Sequence, residues 1–342
     1  MQFGLSEEQI LLQDNVNRFL DDNSPLDRVR NYADGGEDSD IWAGLAELGI
    51  PALLIPEAQG GIGLQPMDAA IVAECLGSHI APTPFLGSAV MAPTALVASG
   101  GDHGELLAEI AAGTTRVGIA FGEAIKRRND AGVTVKDGRM SGTSMYAFDA
   151  QADVYLVADQ HQHIYLVRAD DPGLKRSNLV TVDKTRRTVE LNYDNVAAAT
   201  ISTEASVFAT TVDIGRVALA ADTLGAAQNM LDQAVEYAKQ REQFNRPIGS
   251  FQAVKHMCAE MAAELEPCRS MVWFAGHALA ELPEEARVTA CHTKAHLAEV
   301  GQFVAKTSTE VHGGMGFTDL VGLHYWFKLS LIHISEPTRP ID

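Results

Sequence analysis

The chain has 342 residues, 46% of them hydrophobic, and 45 acidic against 26 basic residues give it a formal net charge of −19. That length allows two or three domains, and the acidic balance argues against the basic surface with which proteins bind nucleic acids. The N-terminus is acidic and amphipathic, unlike a signal peptide, and no apolar run approaches the roughly 20 residues of a membrane span. The four cysteines contain no CxxC pair, so neither disulfides nor a zinc site is predicted, and the reducing cytoplasm is the expected location.

Residues 1–113 have the pattern of a helical domain. Ser6-Glu-Glu-Gln9 has the spacing of a capping box and precedes apolar residues at near-helical period. Further helices are predicted over residues 41–48, ended by Gly49, and over residues 68–76, before the interruption APTPF.

Residues 114–206 change to short runs rich in Val, Ile, Leu, Tyr and Thr, such as VGIAF, DVYLVAD, HIYLVRA and RTVELNY. Turn signals separate the runs at Lys136-Asp-Gly138 and Asp171-Pro-Gly173. The runs are too close together for βαβ crossovers, so the segment predicts a compact antiparallel barrel or sandwich.

Residues 207–328 return to helical periodicity, with three long helices and no internal repeat. The predicted fold class is therefore α+β and mostly α. It comprises an N-terminal helical domain, a central antiparallel β barrel or sandwich, and a C-terminal helical bundle.

The segment REQFNRPIGSFQ breaks the helical pattern between the first and second of these long helices. Arg241 offers a planar fork suited to phosphate oxygens, Phe244 offers a ring surface to a nucleotide or flavin, and Gln252 falls on the first turn of the next helix, where N–H groups are free for an anion. An ordinary helix hairpin with a solvated arginine explains the same local pattern.

The segment HGGMGFT follows the third long helix. Its glycines let the backbone approach a ligand closely, although a flexible helix end is an equally good reading. His292 and His296 have a chelating spacing but no convincing third ligand, so no metal site is predicted. Four helical carboxylates are candidate bases by residue type alone: Glu74, Asp213, Asp222 and Glu236.

Together these pieces resemble the acyl-CoA dehydrogenase family from residue 1 to about residue 328. The resemblance rests on LSEEQ, LAELGIPALLIPEAQGGIGL, VDKTRRTVELNYDNV, YAKQREQFNRPIGSFQAVKHMCAEM and EVHGGMGFT, in that order. It is strongest to short bacterial members of steroid or fatty-acid β-oxidation, often one half of a two-gene complex. It implies that a carboxylate removes the α-proton of an acyl-CoA thioester, that FAD takes the β-hydride, and that an electron-transfer flavoprotein receives the electrons.

In this family FAD lies across a subunit boundary. The resemblance implies that the nucleotide half of a neighbouring subunit's FAD is held by Arg241, Gln243, Phe244 and Gln252. It implies that a glycine loop contacts the same cofactor, through Gly313, Gly314 and Gly316. Glu310 stands where the family usually has glutamine on the approach to that loop.

Other positions depart from the family pattern. The catalytic glutamate has two places in the family; Gly215 occupies the first, and no glutamate follows the glycine loop at the second before the unusual tail. The stretch Ala120-Phe-Gly-Glu-Ala-Ile125 lacks the Gly-Ser-Asp that lies against flavin, and Phe148 replaces a flavin-bonding hydroxyl.

Three hypotheses follow. The first is a subunit that completes the FAD sites of a homologous catalytic partner, as a heterotetramer. The second is a self-sufficient homo-oligomer whose base is displaced, to Asp213 or Asp222, or lies in missing C-terminal sequence. The third is a non-catalytic structural or binding relative.

The C-terminal segment LSLIHISEPTR, at residues 329–339, resembles the translation of a transposase-type sequencing adapter. Its β-branched residues and proline stand where the family continues with a helix. We therefore expect residues 329–342 to be a non-native tail and the natural protein to continue differently after Lys328.

Overall fold

The computed structural model describes residues 4–125 and 131–332. The chain forms two compact units. The helical unit comprises Met1–Gly35, Ala70–Ala81 and Arg216–Asp342, and the β unit comprises Gly36–Ala69 and Pro82–Gly215. Within the described ranges, no helix is both long and apolar enough to cross a membrane. All four cysteines lie in these ranges and form no disulfide there.

The helical unit contains α1 (Glu7–Asn23), α2 (Leu26–Ala33), most of α4 (Pro66–Ser78), most of α8 (Ala205–Gln240), α9 (Gln252–Glu281), α10 (Pro283–His312) and α11 (Leu323–Ile332). The capping box predicted at the start of α1 is present, because the Ser6 hydroxyl accepts from the Gln9 amide at 3.2 Å and the Gln9 side chain accepts from the Ser6 amide at 3.0 Å. The three long helices predicted for residues 207–328 are α8, α9 and α10.

Helices α4 and α8 cross backbone against backbone. A Cβ on Gly77 would lie 2.0 Å from the carbonyl oxygen of Asp222, and one on Gly225 would lie 1.9 Å from that of Glu74. Arg269 of α9 forms an ion pair with the buried Glu74 carboxylate beside this crossing. Burial raises the pKa of Glu74, while Arg269 opposes the shift. Glu74, a candidate base by residue type, is therefore used in the ion pair between α4 and α9.

The β unit contains α3 (Ser39–Glu47), α5 (Ala92–Ala98), α6 (Gly104–Ala111) and α7 (Gly122–Ile125). Its strands are β1 (Val117–Ala120), β2 (Gly132–Lys136), β3 (Arg139–Phe148), β4 (Val154–Ala158), β5 (Ile164–Arg168), β6 (Leu174–Asn178), β7 (Thr188–Ala197) and β8 (Ala199–Ser202). Over the described residues they form one eight-stranded sheet in the order β6-β7-β3-β1-β4-β5-β8, with β2 paired to β3.

One strand pair departs from the predicted antiparallel arrangement. β1 and β4 run parallel, with Val117 opposite Val154, whereas the other pairings in the described part of this sheet are antiparallel. The β2–β3 hairpin lies between β1 and β4 along the chain. Because β3 pairs antiparallel with one side of β1, the following strand β4 can pair with the other side of β1 in the parallel direction.

Both faces of the central strand β4 are buried. Val154 and Leu156 join an apolar cluster that includes α5 and α6, and Tyr155 and Val157 join a second cluster that includes Leu191 of β7. β4 and β7 are not neighbours in the sheet, so the second cluster extends across several strands through residues of β1 and β3.

A π-helical turn, Leu86–Met91, precedes α5. The Ser88 hydroxyl accepts from the Val117 amide at 2.8 Å, and a Cβ on Gly87 would lie 2.2 Å from the Val117 carbonyl oxygen. The turn is thereby fixed against β1, and it carries Met91 at its end.

Helix α11 runs through Ile332, although the sequence predicted that helical structure would stop after Lys328. Leu329 and Ser330 are buried, and the Ser330 hydroxyl donates to the Phe327 carbonyl. Burial of Leu329 outweighs the weak helix propensity of the residues that follow it. Residues 333–342 lie outside the described ranges, and the adapter interpretation of the tail stays a prediction.

Candidate functional site

The corner after α8 is a β-hairpin, where the sequence predicted only a helix break. Strand β9 (Glu242–Gln243) pairs with β10 (Arg246–Pro247), and the turn residues Phe244 and Asn245 have φ values of 54° and 60°. Two positive φ angles define a type I′ turn. A bulky residue such as Phe244 rarely adopts a positive φ, at a cost of about 1–3 kcal/mol, and such strain concentrates at functional sites.

The hairpin presents its polar groups and its aromatic ring to the outside. Arg241, Gln243 and Gln252 are exposed, and the Phe244 side chain is 86% exposed. The Arg241 backbone is nevertheless fixed, because its amide donates to the Tyr237 carbonyl at 2.8 Å and its carbonyl accepts from the Ile248 amide at 2.7 Å. The guanidinium therefore projects from a rigid point.

Sequence reasoning missed Arg246. Its guanidinium lies 4.0 Å from the centroid of the Phe251 ring, and the Phe244 ring meets Phe251 edge-on at 6.0 Å. The cation–π contact gives the hairpin a packed base beneath its exposed tip. The signal in the sequence was an arginine and a phenylalanine on either side of the Pro-Ile-Gly turn.

The glycine loop forms a 3-10 turn, Gly313–Phe317, directly after α10. Gly313 has a φ of 58°, and nothing lies within 4 Å of a Cβ built on Gly313 or Gly314. Gly316 is buried, and its Cβ would lie 2.9 Å from the Thr309 carbonyl oxygen. Packing within the chain therefore already requires glycine at 316, whereas 313 and 314 border open space. Glu310 is exposed one turn earlier.

The hairpin and the glycine loop emerge at the same end of the helical unit. The Tyr237 ring, one turn before Arg241, stacks on the His312 ring at 4.6 Å between centroids and 28° between planes. The Ser308 hydroxyl donates to the Met230 carbonyl at 2.8 Å, so α8 and α10 run side by side toward this end. The structure thus brings the predicted cofactor-contact residues to one place.

His312 is held as a neutral ring. Burial lowers its pKa, and its Nδ1 lies 2.8 Å from the Ser308 carbonyl oxygen. A carbonyl only accepts hydrogen bonds, so Nδ1 carries the proton and Nε2 is unprotonated. The ring therefore stacks on Tyr237 without adding charge.

Gly215 lies against a methionine side chain. A Cβ at this position would lie 3.0 Å from Sδ and 3.3 Å from Cε of Met91. Met91 is buried in the apolar cluster that also contains Phe208 and Val212. The thioether therefore lies where a side chain at position 215 would enter, and it would have to move by a few tenths of an ångström to admit a Cβ.

The other candidate bases are engaged or solvated. Burial lowers the pKa of Lys294 to about 8 while the charge of nearby Asp222 opposes that shift, so Asp222 faces a cation. Asp213 is buried and has interactions of its own. Glu236 is exposed, and hydrogen bonds from Gln240 and Lys239 lower its pKa. Over the described residues no group of three metal-ligating side chains is present, and the histidines at 292 and 296 belong to none.

In the β unit, Phe148 stands at the position where the resemblance expects a flavin-bonding hydroxyl. Phe148 is half-buried, and Tyr146 has a φ of 56° and is 49% exposed. The buried Glu123 carboxylate accepts from the Met145 amide at 3.3 Å. Oε1 of Glu123 therefore has a partner within the chain.

Comparisons with known proteins agree with this architecture. The acyl-CoA dehydrogenase N-terminal domain matches residues 6–114, and the C-terminal domain matches residues 205–333. Acyl-CoA dehydrogenase IpdE2 of Mycobacterium tuberculosis is 30% identical over 302 residues, which cover 88% of this chain and 83% of that protein.

Two similar solved structures carry paired names, and one of them is named as a complex. The ChsE4-ChsE5 complex from Mycobacterium tuberculosis has a TM-score of 0.86 and 26% identity, covering 97% of this chain and 94% of that one. The Tcur3481-Tcur3483 steroid ACAD has a TM-score of 0.82 and 28% identity, covering 96% and 92%. This chain belongs to the acyl-CoA dehydrogenase family, whose members are FAD-dependent oxidoreductases acting on the CH–CH bond of acyl-CoA thioesters.

Proposed function

We propose that this chain is the partner subunit of a heteromeric acyl-CoA dehydrogenase and that its exposed corner completes FAD sites on a homologous catalytic chain. The complex would dehydrogenate an acyl-CoA of steroid or fatty-acid catabolism in the cytoplasm and pass electrons to an electron-transfer flavoprotein. The observation that carries the proposal is a contrast. The predicted cofactor-contact corner is exposed, whereas the Met91 thioether lies against Gly215, where the resemblance places the catalytic base.

The residues at the corner suit the nucleotide half of FAD. The exposed Arg241 guanidinium and the Gln243 and Gln252 amides supply hydrogen-bond donors for a pyrophosphate and sugar. The exposed Phe244 ring supplies a face for an aromatic base. Because nothing lies within 4 Å of a Cβ built on Gly313, a ligand can approach the backbone there closely. When bound, FAD supplies the acceptor for the substrate hydride.

The residues around position 215 do not supply the base that the dehydrogenation requires. Removal of an α-proton requires a positioned carboxylate, and such general-base catalysis typically contributes about 10²–10⁴-fold to rate. Gly215 has no carboxylate, and Asp222 faces Lys294. In our proposal the homologous chain therefore supplies the base, and this chain binds and orients the cofactor.

The alternative is a homo-oligomer that carries its own base. Mixing experiments separate the two. This chain should be colourless and inactive after purification alone, and it should become yellow and active with an artificial electron acceptor when combined with the homologous chain encoded beside it. Robust acyl-CoA oxidation by this chain alone would refute the partner-subunit role.

The corner itself is tested by substitution in the assembled complex. Arg241→Ala should raise the dissociation constant for FAD about 10- to 150-fold, because a charge-assisted hydrogen bond contributes about 1.5–3 kcal/mol. Arg241→Lys should restore part of the loss, since lysine keeps the charge without the planar fork. Arg168→Ala removes an exposed arginine of the β unit and should leave flavin content unchanged. Unchanged flavin retention in Arg241→Ala after dialysis would remove Arg241 from the site.

A further inference from the structure

The chain that follows the glycine loop is held by a single arginine of helix α2. Arg30 donates to the backbone carbonyl of Asp319 and, at 3.4 Å, to that of Leu320. Its Nε also lies 3.2 Å from the Asp319 carboxylate. One guanidinium thus donates to two successive backbone carbonyls through Nη2, and its charge also faces the Asp319 carboxylate as an ion pair. Asp27 accepts from the same guanidinium at 2.7 Å and orients it.

A second contact from the same helix fixes the end of this segment. Gly322 has a φ of 70°, and a Cβ on it would lie 2.5 Å from Cδ2 of Leu26. Leu26 and Arg30 are four residues apart and so share one face of α2. That face therefore holds residues 319 and 320 through Arg30 and residue 322 through Leu26.

The glycine loop is consequently anchored at both ends. At its start, His312 stacks on Tyr237. At its end, α2 holds the chain, although the side chains of Phe317 and Leu320 between these anchors are 81% and 79% exposed. Because these side chains bury little apolar surface, they contribute little to holding the loop in one conformation. The polar contacts of Arg30 therefore contribute to its shape, together with the hydrogen bonds from Thr318 to the Met315 carbonyl.

We propose that Arg30 is a positioning residue for the glycine loop and that it keeps Gly313–Phe317 in the shape that receives the nucleotide half of FAD in the assembled complex. This inference rests on the proposed function. An apparent dissociation constant equals the intrinsic one divided by the fraction of molecules in the binding-competent shape. If release of residues 318–322 leaves the loop competent about a tenth of the time, the dissociation constant for FAD rises about tenfold.

The test substitutes Arg30→Met in this chain, assembled with the homologous catalytic chain. Two quantities are measured: the dissociation constant for FAD, and the rate at which chymotrypsin cleaves after Phe317 when FAD is absent. Both should rise, the first about tenfold by the same population argument. Arg30→Lys should be intermediate, because an ammonium keeps the charge opposite the Asp319 carboxylate but lacks the planar guanidinium that donates to the two carbonyls. Arg18→Met removes an exposed arginine from α1 and is the charge-matched control; it should change neither quantity.

Faster cleavage in Arg30→Met with an unchanged dissociation constant would refute the positioning role, as would no change in either. Gly322→Ala gives a second route if Arg30→Met fails to assemble. Its Cβ would collide with Leu26 and displace the segment while Arg30 is kept, so the dissociation constant should rise here too. Arg241→Ala in the same assay separates the two proposals. If FAD binding responds to Arg241→Ala alone, only the Arg30 role fails; if it responds to neither, the proposed function fails.

Discussion

Met91 and Gly215 should be energetically coupled, because the methionine lies where any side chain at 215 would enter. A Cβ at 215 would lie 3.0 Å from Sδ of Met91, well inside the roughly 3.5–4.0 Å at which non-bonded heavy atoms attract best. The perturbation is a cycle of Gly215→Glu, Met91→Ala and the double variant. Gly215→Glu alone should give the isolated chain no turnover, since the Met91 side chain would have to move before the new carboxylate could reach a substrate.

The expected magnitudes follow from burial. Met91 is 6% exposed, and truncating a buried methionine to alanine costs about 2–5 kcal/mol. Gly215→Glu gains about 1 kcal/mol of helix propensity, but an unpaired carboxylate among Phe208 and Val212 costs about 3 kcal/mol or more. In the double variant the glutamate enters the space that Met91 leaves. The double should therefore be less destabilised than the sum of the singles, by about 1–3 kcal/mol.

Urea unfolding followed by tryptophan fluorescence measures the cycle, with the denaturant slopes compared to confirm that the transitions are alike. Met140→Ala replaces Met91→Ala in a control cycle, because Met140 is equally buried but belongs to the second apolar cluster of the β unit. The control cycle should be additive within about 0.5 kcal/mol. A Met91 cycle that is additive to the same degree would show that the thioether does not obstruct a side chain at 215.

Three further outcomes are expected. Gly225→Ala should lower the free energy of unfolding by more than about 3 kcal/mol and the melting temperature with it, because a Cβ there would lie 1.9 Å from a backbone oxygen of Glu74. An unchanged melting temperature would contradict the close crossing of α4 and α8. Phe244→Asn should stabilise the type I′ turn by about 1 kcal/mol yet weaken FAD retention in the complex, and loss of both or gain of both would contradict it. The pKa of His312 is depressed from 6.5, so the unfolded chain binds the proton first, and stability should fall as pH drops below 6.5, by at most about 1.4 kcal/mol per pH unit. His312→Phe keeps a ring against Tyr237 and should flatten this pH dependence in melts from pH 7 to 5; an unchanged slope contradicts the assignment.

Local pattern was enough to predict most of the secondary structure. The capping box at Ser6, the stop at Gly49 and the three long C-terminal helices depend on residues within a few turns of each other. Short runs of β-branched residues with turn signals between them likewise predicted the β unit. The five motifs predicted the family through their resemblance to it, because each can be read locally and their order along the chain matches the family.

Pairings between distant segments could not be predicted in this way. The parallel β1–β4 pair depends on which strand closes against β1, and many registers satisfy the same alternation. The hairpin at Phe244 escaped prediction because Phe-Asn lacks the Asn-Gly signature of a type I′ turn, so the surrounding contacts impose its positive φ.

The sequence by itself determined most of the helices and strands, the residue types of Arg241 and Phe244, and the absence of a carboxylate at position 215. Only the tertiary structure decided what surrounds these residues: the Met91 thioether against Gly215, the His312 ring on Tyr237, and the Arg30 guanidinium on residues 319 and 320. The physical reason is that periodicity and turn chemistry act over a few neighbouring residues, whereas Arg30 and Asp319 lie 289 positions apart and meet only because packing of the helical unit brings α2 against the end of the glycine loop.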